Sequence, residues 1–363
     1  MTIQFLESYN VESTWESLTD AGKITFPKNL YYKNEFGALQ RLNGKDVNVG
    51  GFNSEPLILR GDSIKLRVGY RYIDKTGKEI VDTEVVFTGY ISKVTSNIPI
   101  EIEVQDNMFL LKQNSLKPKT FTKNNTLEDI LKYIIEGTGL KIYALTTTNL
   151  GPFTIGNETS AQVLNRLKTT YNLDAYFSDD TLICGVFRYR EDKITTHLFD
   201  FEKNIIESQL EFNRKDDIKL SAVAYNNVTE ETGAVTKDGK KKTKNKRIEV
   251  LVELNNSAQG YTIKEVTANK EGERRTFFFI GAKTKDELGK LAYEKLKQYS
   301  YEGLKGSFTT FAIPFVKMGD NVKLNSKLYP ERNGTYKVKK VVANGGVNGL
   351  RQEITLDYKI ITA

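Results

Sequence analysis

The sequence predicts a mainly β chain with α+β insertions. Two similar small antiparallel β-barrels are separated by a small α/β domain, and the second barrel carries a helical insertion. The first observation is a repeat: Gly61-Asp62-Ser63-Ile64-Lys65-Leu66 returns as Gly319-Asp320-Asn321-Val322-Lys323-Leu324. The second is that matching runs follow each copy in the same order. Gly89-Tyr90-Ile91-Ser92-Lys93-Val94 and Ile100-Glu101-Ile102-Glu103-Val104 follow the first; Gly334-Thr335-Tyr336-Lys337-Val338 and Gln352-Glu353-Ile354-Thr355-Leu356 follow the second. Internal similarity of this kind is the mark of one supersecondary unit used again. The third is that helical spacing is confined to the interval between the copies and a short stretch before the second.

Residues 1–113 form the first expected barrel module. Gly22-Lys23-Ile24-Thr25-Phe26 alternates apolar and polar positions before Pro27 ends the run. Val47 and Val49 lead into Gly50-Gly51, and Leu57-Ile58-Leu59 ends at the Gly61-Asp62 turn. Ile64, Leu66, Val68 and Tyr70 then keep the period of two that marks a half-buried strand. Asp74-Lys75-Thr76-Gly77-Lys78 reads as the hairpin loop before a strand over 80–91. Five or six short strands in such a length suit a small barrel or sandwich.

Residues 114–190 form the expected α/β domain. Thr126 and Asp129 make a capping box, and Leu127, Ile130, Leu131, Ile134 and Ile135 follow on one helical face until Gly137 and Gly139. A second helix starts near Thr159 with Ala161, Val163, Leu164 and Leu167, and a hairpin turns at Asp179-Asp180. Residues 191–280 and 306–363 are read as the second barrel module. Residues 281–305 are its helical insertion, opened by the Thr284–Glu287 capping box.

Composition narrows the chemistry. At 39% hydrophobic and 27% charged, the 363 residues suit two or three folded domains. No apolar run reaches the roughly 18 residues of a membrane helix, and the opening Met1-Thr2-Ile3-Gln4-Phe5 lacks a secretory pattern, so folding in a cytoplasm is expected. The single Cys184, in an apolar strand-like run, excludes a disulfide framework and reads as a buried hydrophobe. The single His197 has no evident partner in the sequence. Glu101 and Glu103 share one strand face, the geometry a glycosidase pair would need, but read as a solvated sheet face. No catalytic residue, metal site or cofactor is expected. Gly345-Gly346-Val347-Asn348-Gly349 lacks the lysine of a phosphate loop, and Gly61, Asp62, Gly319 and Asp320 are assigned to structural turns.

The formal charge of +7 is local. Lys237, Lys240, Lys241, Lys242, Lys244, Lys246 and Arg247 face only Asp238 in sequence, so that one segment carries +6. It is read as a solvated hairpin tip, or as a loop contacting an acidic partner or phosphate.

This layout resembles the baseplate hub proteins of phage tails, with the late-control tail proteins and the hubs of type VI secretion spikes. The resemblance rests on the opening segment 15–27 and on the closing pattern Phe308 to Phe311, Met318-Gly319-Asp320-Asn321-Val322, Asn333-Gly334-Thr335-Tyr336-Lys337-Val338 and Ile354-Thr355-Leu356. It implies a homotrimer in which two modules per chain make a ring of six, adapting a sixfold tail tube to a threefold spike. Implied partners are the spike, tube, baseplate and tape-measure proteins, with DNA only in transit through the lumen. The implied location is the virion tail, after assembly in the host cytoplasm. No appended lysozyme, peptidase or carbohydrate-binding segment is expected, because the sequence runs only six residues past Asp357. Two other readings stay open at this point: a two-barrel nucleic-acid-binding protein using the 237–247 segment, and a carbohydrate hydrolase using strand-borne carboxylates.

Overall fold

The computed structural model describes residues 2–360, except 4, 29, 35, 43–57, 96–97, 123, 146–149, 191, 193, 215–218, 236–240, 256–258 and 269–271. Residues 30, 39–42, 229–235 and 241–243 are described by backbone alone. The expected Val47 and Val49 strand and Leu57 lie outside the described residues.

The N-terminal part holds β1 (Thr2–Ile3), β2 (Ser8–Thr14), β3 (Ala21–Thr25), β4 (Leu30–Lys33), β5 (Leu39–Leu42), β6 (Ser63–Ile73), β7 (Glu79–Val94) and β8 (Glu101–Gln105). Then come α1 (Met108–Gln113), β9 (Lys119–Phe121), α2 (Leu127–Ile134), β10 (Lys141–Ala144), β11 (Phe153–Ile155), α3 (Ser160–Tyr171), β12 (Asp174–Ser178) and β13 (Thr181–Gly185). The remainder is β14 (Thr196–Asp200), β15 (Ile205–Asn213), β16 (Leu220–Val235), β17 (Lys241–Leu254), β18 (Tyr261–Lys264), β19 (Glu273–Phe278), α4 (Lys285–Lys297), β20 (Gly303–Phe311), β21 (Asn321–Asn325), β22 (Gly334–Gly346) and β23 (Gly349–Lys359).

The helices begin where the capping signals stand. Thr126, Thr159 and Thr284 each accept the amide of the third helical residue, and Asp129, Gln162 and Glu287 each return a bond to the cap amide. The short α1 carried no such signal, and its Asn107 makes no side-chain cap.

Two modules share one strand order. The first runs β2-β3-β8-β7-β6 and the second β15-β20-β23-β22-β21. The turns match bond for bond. Gly61 N donates to Ile91 O and Ile91 N to Asp62 O, as Gly319 N donates to Val338 O and Val338 N to Asp320 O. The Asp62 carboxylate accepts the Leu59 amide at 2.8 Å, and that of Asp320 accepts the Lys317 amide at 2.9 Å. Register matches as well: Ile64 opposes Gly89 and Leu66 opposes Phe87, as Val322 opposes Tyr336 and Leu324 opposes Gly334. A bulge follows Ile91 in one module and Val338 in the other. Glycine is used at the same crossing twice. A Cβ on Gly22 would lie 2.7 Å from Asn10 O, and one on Gly306 2.2 Å from Gln209 O. The hydrogen bonds align Gly89 with Tyr336 rather than with Gly334, a shift of two from the sequence match, because the turn contacts and not the glycines set the register.

The expected pair of barrels differs from what is observed. Among the described residues the strand path is open, from β15 to β6, and no barrel closes. β2 pairs with β22 from Tyr9↔Gly345 to Thr14↔Lys340, so both modules lie in one 11-stranded sheet. Two cores remain on it. One gathers Tyr9, Ile24, Leu66, Ile102 and Val104, the other Phe199, Phe308, Val322, Tyr336 and Ile354. Within the 191–280 stretch, β14 and β15 join the second module, while the later strands do not. β18-β17-β16-β19 make a four-stranded sheet of their own, and α4 packs on it. Its core, with Ala222, Val250, Leu288 and Leu296, is continuous with that of the α/β unit around Leu127, Leu164 and Leu182. Alternation in β16 and β17 indicated strands but could not tell which sheet they join.

Gly61 and Gly319 have φ of +97° and +88°. A Cβ on Gly61 meets nothing within 4 Å, and one on Gly319 meets Tyr189 at an ordinary 3.5 Å. Gly61→Ala and Gly319→Ala are therefore expected to cost about 1–2 kcal/mol each from backbone strain alone, read as a fall in the urea midpoint. Unchanged midpoints would remove the left-handed requirement from these turns.

Candidate assembly surfaces

The cysteine, histidine and glutamates singled out in the sequence each make a packing or side-chain contact. Cys184 is wholly buried in β13, and burial pushes its thiol up to about 12, so it carries no thiolate. His197 has a partner that the sequence did not reveal. Its Nε2 lies 3.0 Å from Asp320 Oδ2, which pins β14 to the turn before β21. Glu101 pairs with Lys23 at 2.7 Å and Glu103 with Lys93 at 3.3 Å on the sheet surface. Among the described residues no group of three or more His, Cys, Asp or Glu side chains is placed to hold a metal ion. No described helix is long and apolar enough to cross a membrane.

A buried ionic junction joins four parts of the chain. Arg188, 7% exposed, follows β13 and stacks its guanidinium 3.8 Å from the centroid of Trp15, which stands in the β2–β3 connection. Its Nε is 3.4 Å from Asp174 and its Nη1 3.4 Å from Asp357 of β23, while Nη2 donates to the Tyr299 hydroxyl at 2.9 Å. The Asp174 contact is a charge contact without hydrogen-bond geometry, since Arg188 Nε and Asp174 Oδ2 have no hydrogen-bond partner. Tyr189 donates to Asp357 at 2.6 Å, and Lys295 of α4 donates to Val186 O at 2.8 Å. Burial opposes the Arg188 charge, but Asp357, Tyr299 and Asp174 outweigh it and hold its pKa above the usual value. Lys295, 3.7 Å from Asp174, is drawn below its usual value by burial.

A second site, a half-open pocket, lies where the first module, the α/β unit and the second module meet. A cavity of about 100 Å³ is lined by Val11, Asp20, Asp106, Phe177, Val316 and Ala343, among others. Asp20 accepts Ser13 Oγ at 2.6 Å and Thr14 N at 3.0 Å, and Asp106 accepts Met108 N at 3.0 Å. Burial pushes the Asp20 carboxyl up to about 7. Burial and the Asp20 charge also raise Asp106 well above the ordinary range.

The basic segment is not a loop throughout. Lys244, Lys246 and Arg247 stand in β17, exposed and paired in register with β16, where Lys244 opposes Glu230. Lys241 and Lys242 belong to β17 by backbone, and Lys237 and Lys240 lie outside the described residues. β19 supports β16 only up to Tyr225 and β18 supports β17 only from Leu251. Beyond those points the described pair is a two-stranded ribbon. Arg247 lies 4.1 Å over the Tyr225 ring and 2.7 Å from Glu249. A lysine run reads as a loop by composition; cross-strand pairing with β16 carries it on as strand.

The ionic junction and the acid pair escaped the sequence reading. One signal was available: Lys295 falls on the apolar face of α4 with Leu288, Ala292 and Leu296, where a charge needs a buried partner. Asp174, Asp357, Asp20 and Asp106 carry no comparable local mark.

The sequence matches no family model and no curated protein. The fold does match solved structures. One is the tail protein from Neisseria meningitidis MC58, with TM-score 0.54 and 14% identity over 98% of this chain and 92% of that one. Another is the prophage MuSo2 43 kDa tail protein from Shewanella oneidensis, with TM-score 0.53 and 13% identity over 98% and 94%. A third is the E. coli c3393 protein, a type VI secretion component similar to the T4 tail proteins gp27 and gp5, with TM-score 0.51 and 9% identity over 100% and 77%. The chain therefore shares its fold with these two tail proteins and with this type VI secretion component.

Arg188→Ala leaves Asp357 buried without its cation and Asp174 with Lys295 alone, so a loss of about 3–5 kcal/mol is expected in equilibrium urea unfolding. A loss below 1 kcal/mol would show the junction to be dispensable. The acid pair sets a pH dependence. The folded chain keeps protons on Asp20 and Asp106 that the unfolded chain releases near the ordinary carboxylate value of 3.8, so stability falls as pH rises from there through about 7. Asp106→Asn is expected to remove the part of that fall carried by Asp106, giving a shallower pH profile and a higher melting temperature at pH 8. A parallel pH profile in wild type and variant would contradict it.

Proposed function

We propose that this chain is a structural hub of a phage or phage-like tail, assembled as a homotrimer in which two modules per chain make a ring of six. The carrying observation is the repeated five-strand order, with the same turn bonds and register in both copies. A duplicated module gives three chains six similar units, which suits a sixfold tube on one side and a threefold spike on the other. Such a role needs no active site, and the only cysteine and histidine are both committed to packing and turn contacts.

The joint inside the chain supplies a pattern for joints between chains. β2 takes β22 on its outer edge. β15, its counterpart, pairs only with β20 among the described residues, and it exposes Ile206 and Phe212 at 46% and 42%. In the proposed ring that edge receives the first module of the next chain. Gly61, Asp62, Gly319 and Asp320 act as the turns that set each module. The basic ribbon with Lys244, Lys246 and Arg247 contacts an acidic partner surface or lines the lumen. Spike, tube, baseplate and tape-measure proteins are the partners, DNA passes only in transit, and the virion tail is the location.

Native mass measurement of the purified chain is expected to find a trimer. The double variant Ile206→Lys with Phe212→Lys should keep its far-ultraviolet circular dichroism while association weakens about tenfold or more by sedimentation. A stable monomer that binds DNA with steep salt dependence would overturn the reading.

A further inference from the structure

The two modules differ on one edge. β21 has β22 on one side and β14 on the other, and β14 runs parallel to it from Thr196↔Asn321 to Asp200↔Asn325. At the start of this added strand His197 meets Asp320, and Asn321 N donates to Thr195 O at 2.8 Å. At its end Asn325 donates to Asp200 Oδ2 at 3.0 Å, and between them Phe199 is wholly buried against Phe308. β6 stands in the same place in the first module, after the same turn and in the same register. Among the described residues, nothing pairs with its outer edge.

Exposure follows that difference position by position. The Asp320 side chain is 14% exposed, whereas Asp62 is an exposed residue. Val322 is wholly buried and Ile64 only half-buried; Asn321 and Asn325 are half-buried, and Ser63 and Arg67 are exposed. Leu66 and Leu324 are both buried, so the core face is complete in each module and the contrast lies on the edge. This edge, unpaired among the described residues, is charged at both ends, with Asp62 where Asp320 takes His197 and Arg67 where Asn325 takes Asp200.

We infer that the outer edge of β6, from Asp62 to Arg67, docks an extended segment of another polypeptide that adds parallel to β6. Its recognition pattern is read from β14: an imidazole or cationic side chain facing Asp62, an apolar residue two positions on, and a carboxylate facing Arg67. Backbone hydrogen bonds supply affinity and these three side chains supply direction and register, as in strand addition generally. The inference stands whether or not the chain forms the proposed ring.

The probe is a synthetic peptide with the sequence of residues 194–201, added to the full chain at millimolar concentration while amide exchange is followed. Exchange at Ser63, Lys65 and Arg67 is expected to slow about threefold or more, with Asn321 and Lys323 unaffected. Arg67→Glu, at an exposed position outside the turn, should abolish the slowing, and a peptide with lysine in place of its Asp200 residue should restore it. Absence of slowing, or equal slowing by a scrambled peptide, overturns the inference. Protection that grows with protein concentration without peptide assigns the edge to a second copy of the chain and overturns it as well.

Discussion

The pairing of β2 with β22 is the contact on which the rest of the molecule depends. It brings strands from the two ends of the chain into antiparallel register and makes one sheet of two modules. Closing so long a loop costs entropy, although that cost grows slowly with length. Burial offsets it: Tyr9 and Val11 are 5% and 4% exposed and pack with Ala343 in one core. Gly345 is part of this fit, because a Cβ there would lie 2.3 Å from the Tyr9 ring. The Glu12–Lys340 pair at the rim, 2.7 Å apart, adds little beside that burial.

The strands that make the joint also orient the other units. The connection leaving β2 carries Trp15 onto the Arg188 guanidinium, so the first module, the α/β unit, α4 and β23 meet through one cation and two carboxylates. Buried charges are poor sources of net stability but intolerant of misplacement, which suits a contact that fixes how units sit. The Asp20 and Asp106 cavity lies at a similar crossing and works against stability as pH rises.

The two copies of the module share their inner geometry and differ at the periphery. The turn bonds, bulges and close-approach glycines recur, because each belongs to the backbone path of the sheet. The edges do not recur: β21 is flanked by β14, whereas no strand among the described residues flanks the outer edge of β6. His197 and Asp320 therefore make one contact, whereas Asp62 presents the same carboxylate to the surface. The shared strand order keeps what the sheet path requires, while the edges of the two modules take different neighbours.

Local chemistry was legible in the chain. Thr126, Thr159 and Thr284 marked helix starts because a cap and its third residue lie within one turn, and Gly61-Asp62 and Gly319-Asp320 marked equal turns because turn bonds are local. Alternation marked β8 and β23, whose apolar faces point one way. Which sheet a strand enters is decided by partners far away in sequence, so the single open sheet in place of two barrels, and the separate β16–β19 sheet, required the tertiary structure. The same holds for Arg188 with Asp174 and Asp357, for Asp20 beside Asp106, and for His197 with Asp320. A charge in sequence names no partner, and only folding brings the partner within a few ångströms.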